Sequence, residues 1–424
     1  MERMAYYVIA CGYLSVLYLT IFWLVVLFRE RAGARENLPD QRNGSHSSSP
    51  LVTVAIPAWN EAGNIQETMR SALALDYPHD RLELIVVNDG STDQTAALAR
   101  QTAAENGGRR ITILSQTNRG KGAALNVALR AAQGEFFIPM DADSIIQEDA
   151  LQRMMPHFAD PSVAAVLPLM KVRDPRTVLQ KIQWCEYLVS GYYKCLMSAL
   201  DCISIIPGPF SIYRARVLAA LGGFDEKNIT EDVELTLRLQ HHHHKIVQVF
   251  DTEVRTTAPA TWRAFRRQRN RWYKGTFLNG LRYRRMAFNS DYGDFGLIQM
   301  PRLIVELGVS LLLNSTLIYA FLWKPLTTQL TILWLTDFDM RGLLLDWFSD
   351  WGFIDIEWAL VFFVVLGLYV GYSLVARAHR FAHEPVGRYG RSAIFAFLLL
   401  FPPLITAIYA GVVADLLRGK ALRW

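Results

Sequence analysis

Hydrophobic positions along this chain change their spacing twice. From Ala5 to Phe28 they run for 24 residues without a charge and stop at Arg29-Glu30-Arg31. At 1.5 Å per residue this run is long enough to span a bilayer. It exceeds the ~7–15 apolar residues of a secretory signal, and no small-x-small cleavage site follows it. Arg29, Arg31, Arg35 and Arg42 then place the downstream side in the cytoplasm. Asn43 to Pro50, rich in Ser and Gly, reads as a linker. From Leu51 the apolar runs become short. Leu51–Ile56, Leu82–Val87, Ile111–Leu114 and Phe136–Met140 read as strands, alternating with helical segments near Asn64–Leu75, Gln94–Glu105 and Ala123–Ala132. That alternation predicts an α/β domain with a mostly parallel sheet and helices on both faces. Ligands of such sheets bind beyond the carboxyl ends of the strands.

Further on, the helical period dominates. Thr177–Leu200 reads as a long helix mixing Trp184, Tyr187, Tyr192 and Tyr193 with aliphatic residues, suited either to a core or to a membrane surface. A short helix over Val233–Leu239 precedes a β-like run at Lys245–Phe250, and a basic helix starts near Thr261. Leu303–Trp323, Trp358–Ala376 and Ser392–Val413 are each of membrane-spanning length. Glu306 inside the first is costly in lipid and so is a functional hint. The loop with Asp337, Asp339, Asp346, Asp350, Asp355 and Glu357 suits the outer face, and the basic loop from Arg377 to Arg391 suits the cytoplasm. Three C-terminal spans would leave Arg418, Lys420 and Arg423 outside, against the charge rule. A break at Pro402-Pro403 into a re-entrant helix pair would restore the parity. The chain thus divides into an N-terminal transmembrane helix (1–30), a linker (31–50), a cytosolic α/β domain (51–260), amphipathic interface helices (261–299) and a C-terminal transmembrane region (300–424).

Composition agrees with this division. The 424 residues leave room for two domains, and 51% of them are hydrophobic. The net charge of +5 is modest, but Thr261 to Ser290 holds nine Lys or Arg and no acid, interleaved with aromatics. Because that patch leads directly into a hydrophobic segment, membrane lipids and a phosphorylated substrate explain it, and nucleic acid does not. Cys11, Cys185, Cys195 and Cys202 form no C-x-x-C pair, which argues against a disulfide framework or a zinc site. His241 to His244 read as a solvated helix end, since four adjacent histidines cannot all face one ion.

The candidate chemistry lies at the strand ends. Asp141 and Asp143, spaced i, i+2, can point the same way and bind Mg²⁺ or Mn²⁺ through hard oxygens, with phosphate oxygens completing the shell. A helix N-cap is the other reading of Asp143. Asp89 ends a strand before Gly90-Ser91-Thr92-Asp93, where it would hold a nucleoside or simply form a turn. Lys121, near a helix N-terminus, suits phosphate. Its surroundings fail both the P-loop and the dinucleotide fingerprints, which excludes an ATPase or dehydrogenase of those kinds. Asp232, after Thr230-Glu231, can take a proton from an acceptor hydroxyl or cap its helix. Gln268, Arg271 and Trp272 share a helix face, with the arginine suited to diphosphate and the tryptophan to a sugar ring.

Together these residues resemble the processive inverting GT-A glycosyltransferases of family 2: the cellulose, chitin, hyaluronan and poly-N-acetylglucosamine synthases. The resemblance runs from about Val52 to Gly275. It is carried by Ile56-Pro57-Ala58-Trp59-Asn60-Glu61, Val86-Val87-Asn88-Asp89-Gly90-Ser91-Thr92-Asp93, Asn118-Arg119-Gly120-Lys121-Gly122, Asp141-Ala142-Asp143, Thr230-Glu231-Asp232 and Gln268-Arg269-Asn270-Arg271-Trp272. Gly208-Pro209-Phe210 looks like the hyaluronan and chitin synthases. The resemblance implies a UDP-sugar donor, favoured UDP-GlcNAc, bound by Pro57, Glu61, Asp89, Lys121, Asp141 and Arg271. It implies a metal on Asp143 with Asp141, catalysis by Asp232 with Glu231, and acceptor handling by Gln268, Trp272, Gly208 and Pro209. It further implies a growing polysaccharide as acceptor, carried through the plasma membrane, with small membrane or export subunits as further partners. A non-processive transferase placing one sugar on a membrane lipid is the alternative. A non-catalytic nucleotide-binding membrane subunit is a minor one.

Overall fold

The computed structural model describes residues 49–319, 323–335 and 358–419. The span read at Ala5–Phe28 and the acidic loop through Glu357 lie outside the described residues. Eight strands form one mixed sheet in the order β3-β2-β1-β4-β7-β6-β8-β5. They are β1 (Val52–Ala58), β2 (Leu82–Asp89), β3 (Arg110–Gln116), β4 (Phe136–Pro139), β5 (Ser144–Ile146), β6 (Val163–Val172), β7 (Ile212–Arg214) and β8 (Lys245–Thr256). The first four pair in parallel, with Val52 opposite Leu82 on one side and Phe136 on the other. The expected parallel sheet is therefore the N-terminal half. Beyond it the short β7 joins β4 and β6 antiparallel, and β5 joins β8 antiparallel, while β6 and β8 run parallel.

Period-two alternation decides which side chains go to which face. Val54, Ile56, Leu84 and Val86 pack on one side against Ile65 and Met69 of helix α1 (Ile65–Leu73) and Ala99 of α2 (Thr95–Glu105). Ala55, Ile85 and Val87 face the other side, against Ala124, Leu125 and Ala128 of α3 (Lys121–Ala131). Each large apolar side chain buried here contributes about 1.5–3 kcal/mol. After the short helix α4 (Ala150–Met154) comes α5 (Val178–Ser198), the long helix expected from its aromatic pattern. A capping box starts it: Thr177 accepts from the Gln180 amide and Gln180 reaches back. Its Trp184 is fully buried, so α5 is a core helix rather than a surface one.

Helices α6 (Ala215–Ala220), α7 (Glu231–His241) and α8 (Trp262–Arg282) follow. The histidine run begins at the last residue of α7 and continues into the turn beyond it, where His241, His242 and His243 are exposed and His243 stacks on Tyr292 at 5.1 Å. The C-terminal part comprises α9 (Met300–Ile318), α10 (Lys324–Leu335), α11 (Trp358–Phe381) and α12 (Arg391–Leu417). Among the described residues, two helical segments, Phe295–Leu312 and Arg391–Leu417, are long and apolar enough to cross a membrane. The α12 helix runs unbroken through Pro402 and Pro403, which corrects the re-entrant break. The two missing N–H groups leave carbonyls one turn back unmatched, and Thr406 donates its hydroxyl to the Pro402 carbonyl at 2.9 Å.

The helical part is locked onto the sheet. Lys171 of β6 is buried and its ammonium lies between Glu253 of β8 and Glu384 beyond α11, 3.1 Å from the latter, while also donating to the Ala382 carbonyl. Trp184 meets the rings of His379 and Tyr389 edge-on at 4.7 and 4.8 Å.

Candidate active site

The loops at the carboxyl ends of β1 and β2 are stapled together. Asn60, held at φ 54°, donates its backbone N–H to the Ser91 hydroxyl at 3.0 Å and accepts from the Thr92 amide at 2.9 Å. The Glu61 amide donates to Thr95 Oγ1 at 2.8 Å. Pro57 lacks an N–H, yet it sits beyond the point where β4 stops pairing with β1, so that edge of the ladder loses no bond to it. The Glu61 carboxylate accepts from Asn64 and is raised above the usual carboxylate range, by burial first and by Asp141 and Asp93 next.

Asp89 is buried and fully engaged by its own neighbourhood. Oδ1 accepts from Gln116 Nε2 at 2.6 Å and the Arg119 amide at 2.9 Å, and Oδ2 from the Gly120 amide at 2.9 Å. It therefore shapes the loop that launches α3, and with it Lys121. Lys121 Nζ lies 2.5 Å from Asp141 Oδ1 and 3.7 Å from Glu231 Oε1. Burial pulls its ammonium down, but Asp141, Glu231 and Asp232 outweigh burial and raise it. A Cβ at Gly208 would meet this ammonium and stand 3.3 Å from the Asp141 carboxylate, so a larger residue there would push the Lys121 side chain off its present position. Phe210 follows at φ 52° and donates its N–H to the Pro139 carbonyl at 2.8 Å, tying the Gly208-Pro209 loop to the end of β4.

Asp143 stands at the start of β5, where pairing with β8 brings Thr256 Oγ1 to 3.3 Å from it. Burial pushes its carboxyl up to about 6, with Asp141 and Glu61 adding to the shift. Asp143 and Glu61 are held up by burial and by the charge of Asp141, and Asp141 is itself paired with Lys121, so Asp143 is the carboxylate here whose charge a divalent cation would offset, with Asp141 as its neighbouring donor. Such a cation would offset the charge of a bound diphosphate.

The acids of α7 sit opposite. Glu231 is 3% exposed, and its Oε2 has no hydrogen-bond partner among the described residues. Burial pushes it up to about 7, with Lys121 opposing and Asp232 reinforcing the shift. Asp232 is only half-buried, and its Oδ1 accepts from the Val233 amide at 2.8 Å. Helix α8 presses against this N-terminus. Gly275 lies directly on Thr230, leaving no room for a Cβ, and Asn279 Nδ2 donates to Thr230 Oγ1 at 3.0 Å. Arg271 Nη1 donates to the Ile229 carbonyl at 3.1 Å. Gln268, half-buried on the same helix, has an Oε1 with no partner among the described residues.

The structure thus brings Lys121, Asp141, Gly208, Glu231 and Asp232 into one cluster, with Asp143 and Glu61 on its β5 side and Arg271 on its α8 side. Trp272 is placed by a residue that the motif contains but the sequence reading gave no role. Arg269 is completely buried, pairs with Glu186 at 2.6 Å, and lies 4.1 Å over the Trp272 ring. Its burial was hidden because a run of nine cations reads as surface. The available signal was Glu186, the single acid between Thr177 and Leu200.

Comparison with known proteins bears on the family and the fold. Residues 49–275 match the model of glycosyltransferase-like family 2. Over 262 residues the chain is 29% identical to the poly-β-1,6-N-acetyl-D-glucosamine synthase of Staphylococcus aureus, covering 61% of this chain and 63% of that one. The Staphylococcus epidermidis enzyme of the same name is 28% identical over 266 residues, with the same coverage. The aligned part therefore spans less than two-thirds of these relatives. A mannosyltransferase from Pyrobaculum calidifontis, solved with GDP-Man and Mn²⁺, superposes with a TM-score of 0.62 at 20% identity, over 97% of this chain and all of that one. At that identity the likeness speaks for the fold. With the family model covering more than half of its length and the GT-A architecture beneath it, the chain belongs to glycosyltransferase-like family 2.

Proposed function

We propose that this protein is a membrane-embedded inverting glycosyltransferase that takes N-acetylglucosamine from UDP-GlcNAc and elongates a β-linked polysaccharide. The observation that carries this reading is the packing of α8 on the N-terminus of α7. Gly275 against Thr230 holds Asp232 and the Gln268-x-x-Arg271-Trp272 face in one body, opposite Asp141 and Asp143. The staphylococcal relatives support the choice of sugar, and the apolar C-terminal helices support the membrane setting.

In this mechanism the acceptor hydroxyl gives its proton to a carboxylate oxygen of Asp232 as its oxygen bonds to the sugar's C1. The bond from C1 to the diphosphate breaks on the opposite face, so the configuration inverts. Lys121 and Arg271 take up the charge developing on the departing UDP. Asp143 with Asp141 would hold a Mg²⁺ or Mn²⁺ ion, which would add charge stabilisation for the departing diphosphate. Trp272 stacks on the acceptor ring next to the bond being made.

The test is to incubate the purified full chain with single labelled UDP-sugars, with Mg²⁺, Mn²⁺ or a chelator, and to size the products. A ladder of polymer from UDP-GlcNAc, lost with chelator and restored by either metal, is expected. Products with lipid mobility carrying a single sugar would replace polymer elongation with one-step transfer to a membrane lipid.

A further inference from the structure

Residues 221–230 join α6 to α7 and lead straight into Glu231 and Asp232. On one side this connection is gripped by Asn126, a buried residue of α3. Asn126 Oδ1 accepts from the Phe224 N–H at 2.8 Å, and Nδ2 donates to the Phe224 carbonyl at 2.8 Å and to Glu226 Oε1 at 3.0 Å. The side-chain amide thus pairs with both backbone polar groups of Phe224, as a neighbouring strand would. The fit needs a close approach. Gly223 sits at φ 75°, and a Cβ there would stand 2.5 Å from Asn126 Oδ1. The Phe224 ring is buried, with Phe137 and Tyr213 at 6.3 and 6.4 Å between centroids.

Helix α8 holds the connection from the other side. Arg282 Nη1 donates to Asp225 Oδ2 at 2.7 Å, and Asn228 and Asn279 exchange side-chain bonds of 2.8 and 3.2 Å. A second tie to the α3 side is Arg119, whose Nη2 donates to Glu226 Oε2 at 2.8 Å. Arg119 and Arg282 are exposed, and ion pairs in water hold loosely. The two bonds from Asn126 to Phe224 are buried, where a lost bond leaves backbone groups without a partner. Helix α3 opens with Lys121 on the donor side, and α8 carries Gln268, Arg271 and Trp272 on the acceptor side. The base lies at the end of the segment that both helices grip.

We propose that Asn126 is a positioning residue for the transfer: by fixing Phe224 it sets where Asp232 stands relative to the Lys121 end of α3. The inference rests on the reading of Asp232 as the base. Lys121 is held independently, by Asp141 and by the loop that Asp89 shapes, so loss of Asn126 moves the base and leaves the donor side in place. A shift of about 1 Å in a reacting group costs on the order of a hundredfold in rate, so a partial release is enough to register.

The experiment uses the purified full chain in detergent, with sugar transfer from labelled UDP-GlcNAc expressed per UDP-binding site, so that unfolded molecules do not count. Asn126→Ala should lower kcat by about tenfold or more, with UDP affinity retained. Asn126→Asp, whose carboxylate cannot donate and faces Glu226, should do the same. The deciding arm is a double-mutant cycle with Asp232→Asn. In that background Asn126→Ala should cost less than about twofold more, because no base is left to misplace. The same loss in both backgrounds marks a merely structural residue and overturns the proposal. An unchanged kcat per site in Asn126→Ala overturns it too, as does a loss of UDP affinity as large as the loss of kcat. Should Asn126→Ala fail to fold, Asn126→Asp carries the same cycle. Undiminished turnover by Asp232→Asn alone, with Asn126 intact, would overturn the base assignment and this proposal with it.

Discussion

Asp89 and Glu231 are both buried carboxylates at the mouth of one sheet, and the protein treats them in opposite ways. Asp89 accepts three hydrogen bonds from its own loop, whereas Glu231 keeps an oxygen with no partner among the described residues. The first region is finished by folding alone. The second, the acids at the N-terminus of α7, is left waiting for something that folding does not supply. A motif residue can thus be essential as scaffold or as reagent, and the count of satisfied oxygens separates the two.

Asp232→Asn tests the reagent side with the largest effect. Turnover should fall by about 10²–10⁴-fold, the usual share of general-base catalysis, with UDP affinity retained. If turnover survives, another group is the base. Asp89→Asn tests the scaffold side. Its amide would face backbone donors, costing about 1–3 kcal/mol for each bond broken, read as a lower unfolding midpoint together with weakened UDP binding. An unchanged midpoint would erase the contrast with Glu231.

Glu231→Gln should behave in the opposite way. The folded-state pKa of Glu231 lies near 7 against an ordinary 4.5, so the fold favours its protonated form. Its contribution to stability is full below about pH 4.5 and is lost as pH rises through about 7. The Gln variant lacks this slope and should be more stable than wild type at pH 8, while losing activity. Thermal midpoints measured from pH 5 to 8 decide the point. A smaller effect is expected at Trp272→Ala, about a tenfold rise in acceptor KM with little change for UDP-GlcNAc. Arg269→Lys should produce part of the same rise, because lysine cannot both stack on the indole and hold Glu186.

The elements that determine this contrast differ in how well the sequence shows them. Strands β1 to β4 and the helices between them follow from short apolar runs with turn residues at their ends, and the observed bounds differ by only a few residues. Strand β6 was missed because Pro168 interrupts its apolar run. The structure absorbs that proline where the register with β8 shifts between Leu167 and Leu169. Strand β8 continues past Phe250, where Asp251 pairs with Arg153 and Glu253 with Lys171, partners that no local pattern shows. In the site, the acids of the motifs were legible as a set, since strand ends and helix starts bring them together. Their division of labour was not, because it depends on which oxygens meet a backbone amide. The placing role of Arg269 was invisible for the same reason: a cation's sequence neighbours do not reveal whether it is enclosed.

The buried Lys171 carries a consequence for how the molecule can be taken apart. Its ammonium is shared between a strand of the catalytic sheet and an acid that follows α11, and Trp184 is covered by rings from that same stretch. A fragment cut at the end of the family match would lose Glu384, His379 and Tyr389 together. It would expose an indole and leave a core lysine half-neutralised. The catalytic domain and the late helices therefore share one core, and a fragment ending at the family match should unfold at a lower temperature than the full chain.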